Sequence, residues 1–488
     1  MIEFGILQFI VATVGVFVGI IFGAIPGMTA TMAIAIFLPL TYAYDLNTSL
    51  YLLLGLYVGG ISGGLIPAIL INIPGTPSSI TTGFDGHPMA KRGEGERALK
   101  IGITASLLGG MISLVALWLF TPPLAKLAIR FSAIEKFLII LFAMTVIAAL
   151  SKGSMIKGIF AGFLGTLVAL IGQFPDNNTM RMVPDFLRVD LRSGFQLLPV
   201  LIGLFALSQI FEEAEDGMKA NAIAADMSEN TRKFSFKDFK GQVVNVLRSA
   251  GIGTFMGILP GVGGSAASLL SYSQAKNFSK NSSEFGKGAV EGLVASESAN
   301  NGLTGGALIP LLSLGIPGDS TTAVLVGAFM LQGIQVGPLF ISKNPDIWHT
   351  ILFALLICNI LMFIVMFYPI KYIAKVIQFP KTRIYPVIIL MCVVGAYATR
   401  NGNMFDVWTL LFFGVVGYIF GKLKISTASF LIGFILGRDL EKYFVDSIKG
   451  SGGDLMCFFQ RPLGWGIWVL ILLSIAYAVY DNYKFKNN

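Results

Sequence analysis

The 488-residue chain is rich in apolar residues, which make up 55% of it, whereas charged residues make up only 13%. A soluble fold cannot cover that much apolar surface, so the composition predicts a membrane protein. The net charge of +8 does not indicate a nucleic-acid partner, because most lysines and arginines lie in short connections that set topology. A basic patch for anionic lipid or a partner is the weaker alternative. Three widely separated cysteines argue against a disulfide framework or a metal cluster.

The apolar runs are long enough to cross a membrane and lack the alternation of barrel strands, so they predict helices. We expect an all-α polytopic membrane protein with roughly 12 membrane-crossing elements. No basic segment precedes the first run, so we expect no cleavable signal peptide. Apart from the broken segments, the predicted spans are about residues 5–24, 101–121, 134–150, 155–172, 196–211, 348–370, 384–399, 404–421, 425–437 and 464–482.

Two motifs occur once in each half of the chain. GAIPGMTAT at residues 23–31 matches GILPGVGGS at residues 257–265, and both contain a Pro-Gly pair. GGLIPAILINIPGTPSS at residues 63–79 matches GALIPLLSLGIPGDSTT at residues 306–322, and both continue from Ile-Pro-Gly into polar residues. Because proline interrupts a helix, each half is predicted to contain two broken helices or re-entrant hairpins. In membrane proteins such duplicated breaks indicate a transport site between two repeats.

The basic residues predict that the two repeats have inverted topology. Between its two breaks, repeat one has a loop without cations (residues 42–49), whereas repeat two has a loop with three lysines (residues 275–287). After the second break the pattern reverses, with a basic, polar loop at residues 85–100 and a single lysine in residues 332–348. Equivalent loops therefore face opposite sides of the membrane. Placing the basic loops inside puts the N-terminus outside and the C-terminus in the cytoplasm.

This interpretation divides the chain into four parts. Residues 1–211 hold repeat one and the spans that follow it, and residues 212–242 form a polar cytoplasmic linker. Residues 243–440 hold repeat two and the spans that follow it. Residues 441–488 hold a periplasmic loop and a C-terminal span.

The breaks are the candidate functional site, because a broken helix leaves backbone N–H and C=O groups unpaired. Half-helix N-termini favour an anion and half-helix C-termini favour a small cation, so the breaks can hold a carboxylate-bearing substrate beside a coupling cation. For any single hydroxyl the alternative is a helix cap or a bond to its own backbone. Gly75 and Gly318 are expected to be essential, because the break needs a permissive backbone. The candidate substrate-binding residues are Pro26, Gly27, Thr29, Asn72, Gly75, Thr76, Ser78, Ser79, Gly261, Ser265, Asn300, Asn301, Gly318, Ser320, Thr321 and Thr322.

Acidic side chains inside a membrane are costly and are therefore candidates for function. Glu297 and Asp319 are the best-placed acids, and either can carry a proton or help to hold a sodium ion as the coupling ion. The alternative for Asp319 is that it only caps the helix after the second break of repeat two. We expect no other metal and no cofactor.

Two other functions use similar features. Residues 60–64, GISGG, fit the G-x-S-x-G pattern, which suggests an intramembrane serine protease. The chain's two histidines, His87 and His349, are not placed to act as its base, so we expect no enzyme. Broken half-helices also line ion or anion channels. Saturable uptake that depends on a cation gradient and a binding protein distinguishes a transporter from a channel.

The motif segments resemble the large membrane subunit of the tripartite tricarboxylate transporters, the TctA family. The similar segments occur in the same order as in the family and cover both repeats. One position departs from the family motif, which has a small residue where this chain has Asp319, so substrate and ion preference do not transfer directly. The segments are GAIPGMTAT, INIPGTPSSITTGFDGHPMAKRGEGERAL, GILPGVGGS and ESANNGLTGGALIPLLSLGIPGDSTTAVLVGAFMLQGIQVGP.

The resemblance implies a multi-pass secondary transporter of the bacterial inner membrane. Such a transporter imports carboxylates, either a tricarboxylate such as citrate or a dicarboxylate, by symport with sodium or protons. The resemblance also implies two partners, a small membrane subunit (TctB-like) and a periplasmic substrate-binding protein (TctC-like) that delivers the substrate. We expect alternating access through the rigid-body movement of a domain that carries both repeat hairpins.

Overall fold

The chain is almost entirely helical where its structure is described. The computed structural model describes residues 4–149, 155–174, 179–215, 232–260, 263–378, 381–400 and 402–486. In these residues a single small sheet pairs two short antiparallel strands, β1 (Gly172–Gln173) and β2 (Met180–Arg181).

The helices are numbered in chain order. In the first half they are α1 Ile6–Ala24, α2 Ala30–Phe37, α3 Leu46–Gly63, α4 Leu65–Ile71, α5 Ile80–Met89, α6 Gly95–Ile129, α7 Ala133–Ala149, α8 Met155–Ala169, α9 Leu197–Ile202 and α10 Ser208–Glu215. In the second half they are α11 Val243–Ile258, α12 Gly263–Phe278, α13 Val290–Leu314, α14 Ser320–Leu331, α15 Phe340–Lys343, α16 Pro345–Phe367, α17 Ile370–Ile373, α18 Lys381–Ala398, α19 Met404–Leu423, α20 Thr427–Gly450, α21 Cys457–Gln460 and α22 Pro462–Lys486. Short 3₁₀ turns cover Leu38–Ala43, Pro77–Ser79, Asp185–Leu187, Phe236–Phe239, Ser282–Glu284 and Ala374–Gln378, and π-helical turns cover Ala90–Glu94 and Gly203–Leu207.

Several helices are suited to a membrane. Among the described residues, six helical segments are long and apolar enough to cross a bilayer, and six more apolar helices are 10–17 residues long. The long segments are Ile6–Ala24, Leu46–Ile71, Pro77–Ile129, Leu197–Glu215, Pro345–Phe367 and Met404–Leu423. The chain is therefore an all-α membrane protein, as its composition predicts. The expected total of roughly 12 crossings remains a prediction.

The helices pack in two groups that meet at the broken segments. In the first group α13 packs most extensively against α6 and α11, and α1 packs against α3. In the second group α20 packs against α7 and α8, α22 packs against α7, and α19 packs against α9 and α10. The groups meet where α2 contacts α9 and where α14 contacts α9 and α20. The broken segments therefore lie at the boundary between the two groups.

Both second breaks end a helix in the same way. α4 ends at Asn72, whose backbone is left-handed (φ 57°), and α13 ends at Gly315, which is also left-handed (φ 78°). The next residue then donates to the carbonyl six positions earlier, at 3.4 Å for Ile73 and 3.3 Å for Ile316. Like other left-handed caps, this turn satisfies a carbonyl group at a helix C-terminus. The match between the two motifs therefore extends to the backbone geometry of this turn.

The polar stretch at residues 85–100 is helical, so the predicted loop there is wrong. α5, the π-helical turn Ala90–Glu94 and α6 follow one another without a gap. Several polar side chains of this stretch find partners within the protein. Arg97, for example, is buried and forms an ion pair with Asp238 (2.7 Å). A sequence pattern does not show such distant partners, which is why charge alone suggested a loop.

Asp85 of α5 links the two halves of the chain through hydrogen bonds. Its side chain is fully buried. Its Oδ1 accepts the backbone N–H groups of Gly286 (2.8 Å), Gly288 (2.9 Å) and Ala289 (2.8 Å), in the segment that precedes α13. A carboxylate of the first half thus satisfies three backbone donors of the second half.

Two of the predicted boundaries can be compared with the helices. Residue 440 lies inside α20, which continues to Gly450, so the expected loop after residue 440 begins later. In the predicted linker, α10 extends to Glu215, residues 216–231 lie outside the described residues, and Phe236–Phe239 forms a 3₁₀ turn. The division of the chain into four parts otherwise remains a prediction.

Replacing Asp85 with alanine should destabilise the protein, because three buried N–H groups lose their acceptor. Each orphaned donor costs about 1–3 kcal/mol. We expect the Tm of the detergent-solubilised protein to fall clearly in D85A and to fall less in D85N, which keeps an acceptor oxygen. Unchanged stability in D85A would show that Asp85 does not hold the segment before α13.

Candidate functional site

A cavity of about 290 Å³ lies where the broken segments meet. This volume is close to the lower end of the ~300–1,000 Å³ that is typical of small-ligand sites. Both halves of the chain contribute to its wall. The predicted site residues that line it are Thr29, Thr76, Ser78, Ser265, Asp319, Ser320 and Thr321.

Four helices begin at this cavity: α2, α12, α14 and α20. Three of them have a capping side chain: Thr29 accepts from Met32 N (3.1 Å) at α2, Asp319 caps α14, and Ser426 caps α20. Helix N-termini carry partial positive charge and free N–H groups, which favour an anion. No lysine, arginine or histidine is among the described residues that line the cavity. Its attraction for an anion therefore comes from backbone groups and hydroxyls.

Hydroxyl groups join the two halves across the cavity wall. Thr31 of α2 and Thr321 of α14 form a hydrogen bond of 2.8 Å between their Oγ1 atoms. Thr76 lies 3.0 Å from the hydroxyl of Ser78 and 2.7 Å from that of Ser79. These hydroxyls thus bond to one another, which is neither the helix cap nor the bond to the residue's own backbone that was the alternative for single serines and threonines. Since a hydroxyl can donate once and accept twice, each keeps capacity for a ligand.

Asp319 is the N-cap of α14 and also lines the cavity. Its Oδ1 accepts from the backbone N–H of Thr322 (2.7 Å) and from the Thr322 hydroxyl (2.7 Å). Its Oδ2 accepts from the hydroxyl of Tyr57 (3.3 Å). Asp319 is 8% exposed. The capping role that was left open for Asp319 is present, and Asp319 is also one of the residues that line the cavity.

Glu297 lies inside the protein, apart from the described cavity lining. It is 0% exposed and sits on α13, which faces α5 and α6. Its carboxylate accepts from the hydroxyls of Thr82 (2.5 Å) and Ser106 (2.9 Å) and from the amide of Asn301 (3.4 Å). These are neutral donors, so the acid is hydrogen-bonded without a neighbouring cation among the contacts that the structure describes.

Gly75 and Gly318 each precede a residue that lines the cavity, and the structure gives a different reason for glycine there from the one predicted. Neither has a positive φ, so a permissive backbone is not what the break requires. A Cβ atom on Gly75 would overlap the carbonyl oxygen of Gly23, and one on Gly318 would overlap that of Gly257. Each second break therefore packs closely against the end of a helix that carries a first break. Glycine provides space there.

Other predicted site residues lie away from the cavity lining. Asn72 ends α4 with an exposed side chain, and Pro26 lies in the turn before α2. Gly27 has a φ of 91° and faces Glu213 of α10. Gly261 is outside the described residues.

The remaining predicted residues act within the surrounding network. Thr322 bonds to Asp319, and Ser79 bonds to Thr76. Asn300 donates to the carbonyl of Ile61 (3.4 Å). Within the described part of the chain, its buried Oδ1 has no hydrogen-bond partner, and it faces Gly264 in the cavity wall.

The motif analysis missed the part of the wall that comes from the second group of helices. Ser426, Ala428 and Ile432 of α20 and Phe205 of a π-helical turn complete the cavity. Ser426 precedes an apolar run, which is a general signal for a helix start. The signal does not indicate which helix starts face the same cavity.

The G-x-S-x-G serine has a structural partner. The hydroxyl of Ser62 donates to the side-chain oxygen of Asn301 (2.7 Å). The ring of His87 instead bonds to the backbone carbonyl of Ile69 (3.0 Å). The described contacts therefore do not join Ser62 to a base.

The sequence pattern of the tripartite tricarboxylate transporter TctA family matches residues 9–432. The chain belongs to the TctA family. As a TctA-family protein it is a membrane component of a three-part transporter, which is a transport function and not an enzymatic one. Its helices and its family together make it a multi-pass membrane protein.

Two relatives come from Agrobacterium vitis. An "Uncharacterized 52.8 kDa protein in TAR-I ttuC' 3'region" is 34% identical over 480 residues, covering 97% of this TctA-family chain and 94% of the relative. An "Uncharacterized protein in TAR-II ttuC' 3'region" is 36% identical over 236 residues, covering 48% of this chain and 97% of the relative. No solved structure matches the chain.

Replacing Gly75 or Gly318 with alanine should reduce transport at least about tenfold, because the added methyl group forces the two breaks apart and displaces the cavity wall. Gly251 of α11 is a matched control, since a Cβ there meets nothing within 4 Å. Uptake by vesicles, normalised to the amount of protein in the membrane, measures the effect. Normal uptake by both G75A and G318A would contradict the close packing described here.

Proposed function

We propose that this chain is the large transmembrane subunit of a binding-protein-dependent secondary transporter that imports carboxylates. One observation carries the proposal: several helix N-termini and hydroxyls converge on one cavity whose described lining contains no basic side chain. Backbone N–H groups can hold a carboxylate in such a place. Without a fixed cation the anion is held weakly enough to be released, which a transporter requires.

The paired breaks support two inverted repeats. Gly23 packs against Gly75 in the first half, and the equivalent Gly257 packs against Gly318 in the second half. The helix that follows each second break, α5 or α14, also bonds to a connecting segment in the other half of the chain. α5 bonds through Asp85 to the segment before α13, while Gln332 after α14 donates to the carbonyl of Thr41 (3.0 Å) before α3. This exchange is expected when the repeats are related by an axis in the membrane plane.

In this proposal the protein lies in the bacterial inner membrane, as its family resemblance implies. The distribution of basic residues supports an N-terminus outside and a C-terminus in the cytoplasm. The partners in this proposal are a TctB-like small membrane subunit and a TctC-like periplasmic protein that delivers the substrate. The substrate is a tricarboxylate such as citrate, or a dicarboxylate.

The boundary between the two helix groups supports alternating access. α2, α12 and α14 form one side of the cavity, and α20 with the π-helical turn Gly203–Leu207 forms the other. If the first group moves as a rigid body against the second, the cavity becomes open to one face of the membrane at a time.

Coupling to sodium or protons is assigned to the buried acids Glu297 and Asp319. Glu297 is the stronger candidate for the coupling ion, since a fully buried carboxylate held by neutral donors is stabilised when a proton or a cation neutralises it. Its position on α13, within the first group, allows the ion to move together with the cavity.

Uptake into proteoliposomes tests the function. The vesicles contain this chain with its small membrane subunit, and they receive radiolabelled citrate or dicarboxylates under imposed sodium or proton gradients. Saturable uptake that needs both a gradient and the binding protein is expected, and the effective gradient names the coupling ion. Passive, unsaturable flux would instead identify a channel, and the absence of any flux would contradict carboxylate transport.

The variant E297Q should lose gradient-driven accumulation while it still exchanges substrate across the vesicle membrane. Glutamine keeps the shape and an acceptor oxygen but cannot be neutralised by an ion. E441Q is the matched control, because Glu441 pairs with Arg181 away from the cavity. Accumulation by E297Q with the gradient dependence of the wild type would exclude Glu297 as the coupling site.

A further inference from the structure

An acid lines a cavity that is otherwise suited to an anion. Asp319 is the only acid among the described lining residues, and no basic side chain there neutralises it. A substrate carboxylate placed against Asp319 would be repelled, because like charges at close range destabilise each other. The cavity therefore has one region that favours a carboxylate, at the starts of α2, α12 and α20, and another region that disfavours it.

The donors that hold the Asp319 carboxylate are neutral. Among the described residues, its Oδ1 accepts two hydrogen bonds from Thr322, its Oδ2 accepts one from the Tyr57 hydroxyl at 3.3 Å, and the backbone of Thr321 also donates to the carboxylate. The capping bonds also hold the side chain in one orientation before a ligand arrives.

Capping alone does not require an acid at this position. Serine, asparagine and threonine cap helices about as well as aspartate, and other helix starts at this cavity use Thr29 and Ser426. What aspartate adds is a negative charge and stronger acceptor oxygens. Those properties suit a donor group on a ligand in the cavity.

We propose that Asp319 recognises a hydrogen-bond donor on the substrate, so that the transported acid carries a hydroxyl or ammonium group in addition to its carboxylate. The helix N-termini hold the carboxylate, and Asp319 accepts from the second group. This inference rests on the proposed carboxylate transport and narrows its substrate class. The inference also gives the two acids different roles. Asp319 binds the substrate, and Glu297, which is not among the described lining residues, binds the coupling ion.

Succinate, malate and aspartate test the inference directly, because they differ only in the hydrogen, hydroxyl or ammonium group at one carbon. Citrate and tricarballylate form a second pair that differs by one hydroxyl. Calorimetry on this chain with its small membrane subunit, in detergent and without the binding protein, measures their affinities free of the binding protein's own specificity. A hydrogen bond to a charged group predicts that the substituted acid binds about 10-fold to 100-fold more tightly than its unsubstituted analogue.

The variants D319S and D319N keep a capping side chain and remove the charge. We expect D319S to bind the substituted and unsubstituted acids with similar affinity, and D319N to lose most of the preference for an ammonium group. D45S is the matched control. Asp45 caps α3 through the N–H (3.1 Å) and hydroxyl (2.5 Å) of Thr48 at an exposed position, so the preference of the wild type should persist there.

Three results would overturn the inference. The first is that the wild type binds substituted and unsubstituted acids with equal affinity. The second is that D319S keeps the wild-type preference for substituted acids. Neither result would contradict carboxylate transport. If D319S instead loses the sodium or proton dependence of uptake, Asp319 holds the coupling ion and not the substrate. If the folded wild-type protein binds none of these acids, the proposed carboxylate transport itself fails.

Discussion

Inside a membrane no water is available to a backbone group that lacks a partner, and this constraint governs where the helices of this chain can break. The carbonyl groups at the ends of α4 and α13 are satisfied by matching local turns. The N–H groups at the starts of α2, α14 and α20 are satisfied in part by Thr29, Asp319 and Ser426. Because these starts meet at one cavity, an anion bound there supplies acceptors that the fold itself does not provide. The broken helices thereby connect the stability of the fold with the proposed transport.

Three of the buried acids are held by neutral donors and not by cations. Two others, Glu135 and Asp406, pair instead with Arg461 and Arg400. Asp85 accepts three backbone N–H groups, Glu297 accepts from hydroxyls and an amide, and Asp319 accepts from Thr322 and Tyr57. Neutral donors allow an acid to be buried without fixing a counter-charge beside it. A proton, a coupling cation or a substrate donor can then interact with such an acid. Because their surroundings differ, we propose a structural role for Asp85, a coupling role for Glu297 and a role in substrate recognition for Asp319.

Motif duplication predicted much of the candidate site, because helix breaks depend on local residues such as proline and glycine. Thr76, Ser78, Ser265 and Thr321 were expected near the breaks and do line the cavity. The polar stretch at residues 85–100 was predicted wrongly, since two of its buried charged residues, Asp85 and Arg97, have partners that are far away in sequence. Ser426 was missed for the same reason, because its place in the wall depends on how α20 packs against α14.

The sequence by itself determined the membrane class, the helical nature of the chain, the positions of the breaks and the family. These properties follow from composition and from short-range backbone chemistry, which act within a few residues. Only the tertiary structure decided which breaks face one another, that Gly75 and Gly318 have no space for a side chain, and that Asp319 lines the cavity whereas Glu297 does not. Those outcomes depend on close packing between helices that lie far apart in the sequence, and packing of this kind leaves no periodic signal in the chain.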